Sequence, residues 1–228
     1  MVAAYGAIVI LAPIEDQRCK RGSMFMSQAI ALTAATVVVV GLGATFAVTQ
    51  LVGNPTFEQC SGSSFAGGDI GGPFTLLDKS GATVTDIDVI TEPTLIYFGY
   101  SFCPDVCPID MARNSVVVDI LAEQGISATP MFISIDPERD TPEIVGDYAF
   151  NFHDKAIGLT GSAEQVAAAS KAYRTFYQKQ EGDPDYYLMQ HTTFSYLTLP
   201  EHGFVEFFRQ NESPEKIAES VACFAAAS

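Results

Sequence analysis

The sequence predicts an α/β domain, a mixed sheet flanked by helices, carried behind one N-terminal transmembrane helix. Three observations carry this. Residues 29–48 hold no charged side chain and are almost wholly apolar. From Pro73 onward, β-rich apolar runs alternate with stretches that open on helix-start signals. Near the C-terminus two adjacent strands precede a last helix, an order that puts helices on both faces of a mixed sheet.

The membrane helix is read from charge placement. Arg18, Lys20 and Arg21 are followed by no charged residue until Glu58. The apolar run inside that gap is long enough for about 30 Å of helix, a bilayer core. Basic residues before it and acidic residues after it place the amino terminus inside and the following domain outside. The run exceeds a signal-peptide core and no clean A-x-A site follows, so an uncleaved anchor is favoured over a cleaved signal. No amphipathic stripe suggests a core helix. The expected organisation is a cytoplasmic segment at 1–28, an anchor at 29–50, a Gly- and Ser-bearing linker at 51–72, and a folded domain at 73–228. Translation starting at Met24 or Met26 fits as well as Met1. A mitochondrial presequence would be Arg-rich, and nothing basic precedes Arg18, so the expected location is a bacterial inner membrane, single-pass, with the C-terminal domain in the periplasm.

The domain's elements follow in order. Pro73–Asp78 and the turn Lys79-Ser-Gly81 open a short hairpin. Thr94–Tyr100 is a continuous apolar run, as expected of a strand covered on both faces. A helix is expected from Asp105 to Glu123, stopping at Gly125. Thr129–Asp136 reads as a second buried strand. Thr141 with Pro142 marks a helix start, and Ala156–Thr160 a short strand. Ser162-Ala-Glu-Gln165 fits a capping box opening a helix to about Lys179. Thr192–Leu199 and Gly203–Phe208 form a closing hairpin, and Ser213-Pro-Glu opens a last helix. This order is that of the thioredoxin-like architecture.

Composition bounds the function. Hydrophobic residues make up 48% and charged residues 17%, enough for a packed core. A net charge of −15 argues against nucleic acid, which needs clustered Lys and Arg. It suits a soluble domain that meets cations or a basic protein face.

Of five cysteines, Cys19 falls on the inner side and the other four are exported. Cys103 and Cys107 form Cys-Pro-Asp-Val-Cys-Pro between a buried strand and a helix start. Their spacing of four predicts both sulfurs on one helical face, where free N–H groups favour thiolates. Such a pair serves as a structural disulfide, a redox couple or two metal ligands. Two thiolates do not complete a four-ligand zinc site, whereas Cu(I) accepts two or three soft donors. Cys60 and Cys223 stand at the two ends of the exported domain. Either they pair, as leftover exported thiols tend to, or Cys223 packs as a small apolar residue. Of three histidines, His153 reads as a helix-end residue and His202 as a turn residue. His191 opens the strand after a polar loop, where it can approach the cysteines.

Tyr97-Phe-Gly-Tyr-Ser-Phe-Cys-Pro-Asp-Val-Cys-Pro108 resembles the copper motif of the Sco/SenC family. Phe132–Pro142, with Asp-Pro-Glu-Arg-Asp-Thr-Pro, resembles its second signature, and His191-Thr before Tyr196-Leu197 the region bearing its histidine. The resemblance covers about residues 70–225. It implies a thioredoxin-like domain on one membrane anchor, copper as Cu(I) or Cu(II), and the ligands Cys103, Cys107 and His191. It also implies a part in building the dinuclear copper centre of cytochrome c oxidase, with that enzyme's copper-receiving subunit as partner. Asp136 and Arg139 fall in the second signature and are read as supporting the loop. Gln190 stands where the family commonly has Asp. Three functions use the same residues: a copper metallochaperone, a thiol–disulfide oxidoreductase reducing the acceptor's cysteines, and a copper or redox sensor. Either of the first two requires a thioredoxin-like reductant in an oxidising compartment.

Overall fold

The computed structural model describes residues 57–60, 70–183 and 186–228. The expected cytoplasmic segment, the anchor and most of the linker lie outside these residues. Among the described residues, no helix is long and apolar enough to cross a membrane.

In chain order the elements are α1 (Phe57–Cys60), β1 (Thr75–Leu77), β2 (Thr83–Thr85), α2 (Asp86–Val89), β3 (Thr94–Gly99) and α3 (Val106–Glu123). There follow β4 (Thr129–Ser134), α4 (Pro142–Phe150), β5 (Ile157–Leu159), α5 (Ala163–Ala172), β6 (Tyr177–Lys179) and β7 (Met189–His191). The chain closes with β8 (Ser195–Leu199), β9 (Gly203–Phe208) and α6 (Pro214–Ala227).

Five strands make one mixed sheet in the order β5-β4-β3-β8-β9. β3, β4 and β5 are parallel, and β8 and β9 run antiparallel to their neighbours. β3 and β4 are buried along their whole length, as their unbroken apolar runs required. One core cluster gathers Phe98, Phe132, Tyr173 and Tyr196 with both cysteines of the motif. The other joins Leu95 and Leu197 to α3 and α6 through Val118, Leu121, Val221 and Phe224.

The local signals act as read. Thr141 accepts a hydrogen bond from Ile144 N–H with Pro142 in the first turn, and Ser162 and Gln165 form the expected box. Ser213 caps α6 on Lys216 N–H. Cys60 and Cys223 are joined, with Cα atoms 5.5 Å apart, which ties α1 to α6.

Two expectations are corrected. The helix from Ser162 stops at Ala172, not Lys179, because Arg174 turns into the left-handed region with φ 51°. The chain beyond it then pairs as β6 with β7. His191 does not open the closing hairpin, whose first strand starts at Ser195. It ends β7, one strand of a separate two-stranded ribbon.

Candidate metal centre

The site forms where β3 runs out. The chain turns at Tyr100, whose carbonyl accepts from Cys103 N–H at 3.1 Å. Asp140 holds this turn from the neighbouring loop. It is fully buried, accepts from Ser101 N–H at 3.0 Å and from the Ser101 hydroxyl, and takes a further hydrogen bond from Ser134 Oγ at 2.5 Å. Burial pushes its carboxyl up, and the hydrogen bonds from Ser101 and Ser134 pull against it.

Cys107 lies in the first turn of α3, while Cys103 precedes the helix. The spacing of four therefore does not stack both residues on one helical face, as the sequence suggested. Residues 101–105 turn back instead, and Cys103 Sγ accepts from Cys107 N–H at 3.4 Å, taking one of the helix's free donors. The Asp105 side chain makes no capping bond there. Gly99 makes the approach possible. A Cβ on it would lie 3.0 Å from Cys107 Sγ and closer still to the Phe132 and Tyr97 rings.

His191 arrives from β7. Its Nδ1 lies 2.8 Å from the Thr192 carbonyl. A carbonyl only accepts, so Nδ1 donates to it and Nε2 is the nitrogen turned toward the cysteines. Nε2 is 3.4 Å from Cys107 Sγ. The donor atoms of Cys103, Cys107 and His191 all lie within 4.8 Å of one another, the one such group of ligating side chains among the described residues. The edges of Tyr97 and Tyr100 close on the imidazole, ring centroids 6.1 and 5.9 Å away. Gln190, beside the histidine, is exposed and pairs across the ribbon with Gln178. The Thr192 carbonyl, not a neighbouring carboxylate, orients the ring.

The two thiols differ, where the sequence suggested two lowered values. A hydrogen bond from the Cys107 thiol, assisted by His191 and by backbone N–H groups of Asp105 and Cys107, lowers Cys103 to about 3 against the cost of burial. Burial, and then the neighbouring Cys103, push Cys107 well above the ordinary thiol range. At neutral pH the metal-free pair is one thiolate and one thiol. A cation between the sulfurs would offset the cost of deprotonating the second. The donor set is soft, pre-gathered and three in number, which suits a thiophilic metal with an open position.

Below the cysteines, the buried Asp110 lies 3.2 Å from Arg113 Nη1, and Arg113 donates to the Arg209 carbonyl and to Ser195 Oγ, both at 2.9 Å. This polar seam fixes α3 against β8. The sequence reading assigned no role to it, nor to Gly99, Tyr97, Tyr100 and Asp140, which stand inside the two motifs. Its signal was three polar residues, Asp110, Arg113 and Asn114, inside a helix that the fold buries. His153 instead faces Asp119 at 3.4 Å and His202 packs edge-on against Phe57, so neither belongs to the group.

Comparison with known proteins bears on this arrangement. The SCO1/SenC family model matches residues 63–226. Protein SenC of Rhodobacter capsulatus is 52% identical over 200 residues, spanning 86% of this chain and 89% of that protein. The human mitochondrial protein SCO1 homolog is 42% identical over 156 residues, which is 67% of this chain and 52% of the relative's length. The crystal structure of Arabidopsis thaliana ScoI with copper bound superposes with a TM-score of 0.65 at 38% identity, covering 68% of this chain and 98% of that one. Bradyrhizobium japonicum ScoI with copper bound gives 0.61 at 37% identity, covering 67% and 98%. The match spans nearly all of the described domain, including both cysteines and the histidine, and the chain belongs to the SCO1/SenC family.

Proposed function

We propose that this protein is a copper metallochaperone that helps assemble the dinuclear copper centre of cytochrome c oxidase. Its cargo is held by Cys103, Cys107 and His191, and its receiver is the oxidase's copper-binding subunit. The observation that carries this is the group of two sulfurs and one imidazole nitrogen gathered within 4.8 Å. That relatives at 38% and 37% identity have structures with copper bound supports copper as the metal. The apolar run at 29–48 supports a periplasmic domain on a single-pass inner-membrane anchor.

The residues have separable tasks. Cys103 offers a thiolate already formed. Cys107 gives up its proton as the second donor, so loading releases a proton. His191 presents Nε2 because its other nitrogen is engaged by Thr192. Two thiolates suffice for Cu(I), whereas Cu(II) gains from the added imidazole.

A thiol–disulfide role is the second reading, favoured by the asymmetry of the pair. In that reaction the Cys103 thiolate attacks an acceptor disulfide and one acceptor thiolate leaves. Cys107, deprotonated, then attacks Cys103 Sγ, releasing the second acceptor thiol and leaving Cys103–Cys107 oxidised. A thioredoxin-like dithiol would have to restore the pair. A thiolate lowered to about 3 is a weak nucleophile and a good leaving group, and it stabilises the reduced form. That makes the pair a poor reductant and a ready ligand, which ranks the metallochaperone first.

Anaerobic copper titration of the reduced protein tests the reading. One copper per chain is expected, lost in Cys103→Ala and in Cys107→Ala. His191→Ala should weaken Cu(II) more than Cu(I). Stoichiometric binding by protein whose Cys103 and Cys107 are oxidised to a disulfide would put the site elsewhere.

A further inference from the structure

Among the described residues, the ribbon that delivers His191 has no strand partner in the main sheet. β7 is three residues long and pairs with β6 alone. Strand pairing therefore does not fix the distance between the imidazole and the cysteines. A side chain from the loop after β4 spans the two segments. Arg139 is held by Asp136 at 2.6 Å, and its Nη1 donates to the Tyr187 carbonyl at 3.0 Å. Its guanidinium lies over the Tyr187 ring at 3.5 Å and over the Phe102 ring at 4.8 Å. The Tyr187 hydroxyl returns to Asp136 at 2.7 Å. Phe102 adjoins Cys103, and Tyr187 stands four residues before His191. One planar cation thus grips both ligand-bearing segments.

Resting on the reading that these three residues hold copper, we propose that Arg139 is the positioning residue for the third ligand. Clamped by Asp136, it sets His191 against the cysteine loop through Tyr187 and Phe102, and so decides whether the site can hold Cu(II). The chemistry requires arginine. A planar fork can stack on two rings and still reach a carbonyl and a carboxylate, whereas an ammonium is a point charge with no second arm. Arg139 meets the cysteine loop only through the Phe102 and Tyr100 rings, and Asp140 holds the turn itself, so the two-thiolate site for Cu(I) should lose far less.

The test compares Arg139→Met, which keeps length but loses charge and fork, with Arg139→Lys and Tyr187→Phe in the reduced full chain. In Arg139→Met the affinity for Cu(II) should fall about 10- to 100-fold, the range seen when a ligand's support is removed. Its thiolate charge-transfer bands should shift, and Cu(I) binding should change far less. Arg139→Lys should recover part of the loss. In metal-free protein the ¹⁵N resonance of His191 Nε2 should move in Arg139→Met and in Tyr187→Phe, reporting its altered distance from Cys107. If Arg139→Met fails to fold, Tyr187→Phe decides on the same two readouts. The proposal is overturned if His191 Nε2 and the Cu(II) spectrum stay as in the wild type. Equal losses of Cu(I) and Cu(II) also overturn it, because they mark general damage. Should the wild type bind no copper at all, the function fails, while the ¹⁵N shift still decides the positioning.

Discussion

Two residues with the same side chain carry opposite tasks here because their surroundings differ. Cys103 sits at a helix start with hydrogen bonds directed at its sulfur, while Cys107 is fully buried among aromatic rings. The folded pKa of Cys103, about 3, lies below the ordinary thiol value. Its contribution to stability is therefore complete above the unfolded thiol range and is lost as pH falls through about 3. The unfolded chain binds the extra proton between those limits, so stability rises with pH there. The raised Cys107 value adds no slope below the unfolded thiol range, since Cys107 is protonated in both states. Urea midpoints of the reduced, metal-free protein between pH 4 and pH 8 should climb more steeply in the wild type than in Cys103→Ser. Coincident slopes would refute the lowered thiol.

At the scale of elements, the site depends on loops that the sheet holds in place. The loop between β4 and α4 supplies both Asp140, which anchors the cysteine turn, and Arg139, which reaches the histidine ribbon. Removing Asp140 leaves the buried Ser134 hydroxyl and the half-buried Ser101 N–H and hydroxyl without their acceptor. Asp140→Ala should cost about 2–3 kcal/mol, the range for losing charge-assisted hydrogen bonds and leaving partners unsatisfied. Chemical denaturation would measure that loss. Copper titration of the same variant should show weaker Cu(I) as well as Cu(II), since the cysteine turn itself loosens. That pattern separates Asp140 from Arg139, whose loss should spare Cu(I).

For the whole molecule, the Cys60–Cys223 bond closes a loop of sequence separation 163 and holds α1 on α6, where Phe57 also meets Phe224. Chain entropy puts the gain for so long a loop at about 5 kcal/mol, a ceiling reached when the native state is unstrained. Cys60→Ser with Cys223→Ser should lower the urea midpoint by a large part of that. The copper stoichiometry should stay at one, because the bond belongs to the core cluster of α3 and α6, apart from the cluster that holds the two cysteine ligands. A variant that also loses copper would show the two clusters to be coupled.

The sequence by itself determined the strands of the main sheet and its longer flanking helices, the caps at Thr141, Ser162 and Ser213, and the candidate ligands. These rest on local periodicity, on capping chemistry, and on motif residues a few positions apart. It also pointed to Cys60 with Cys223, because parity and compartment constrain leftover thiols. It did not foretell that the helix from Ser162 stops at Ala172, since β6 exists only by pairing with β7 across the intervening polar loop. Nor could it tell the two cysteines apart, because their difference arises from the hydrogen bond between their own sulfurs and from burial. The roles of Gly99, Asp140, Arg139 and Tyr187 are likewise contacts between distant segments. Spacing states which side chains can share a helix turn, but which of them meet across loops, and at what cost in desolvation, is decided only when the sheet brings those loops to one end.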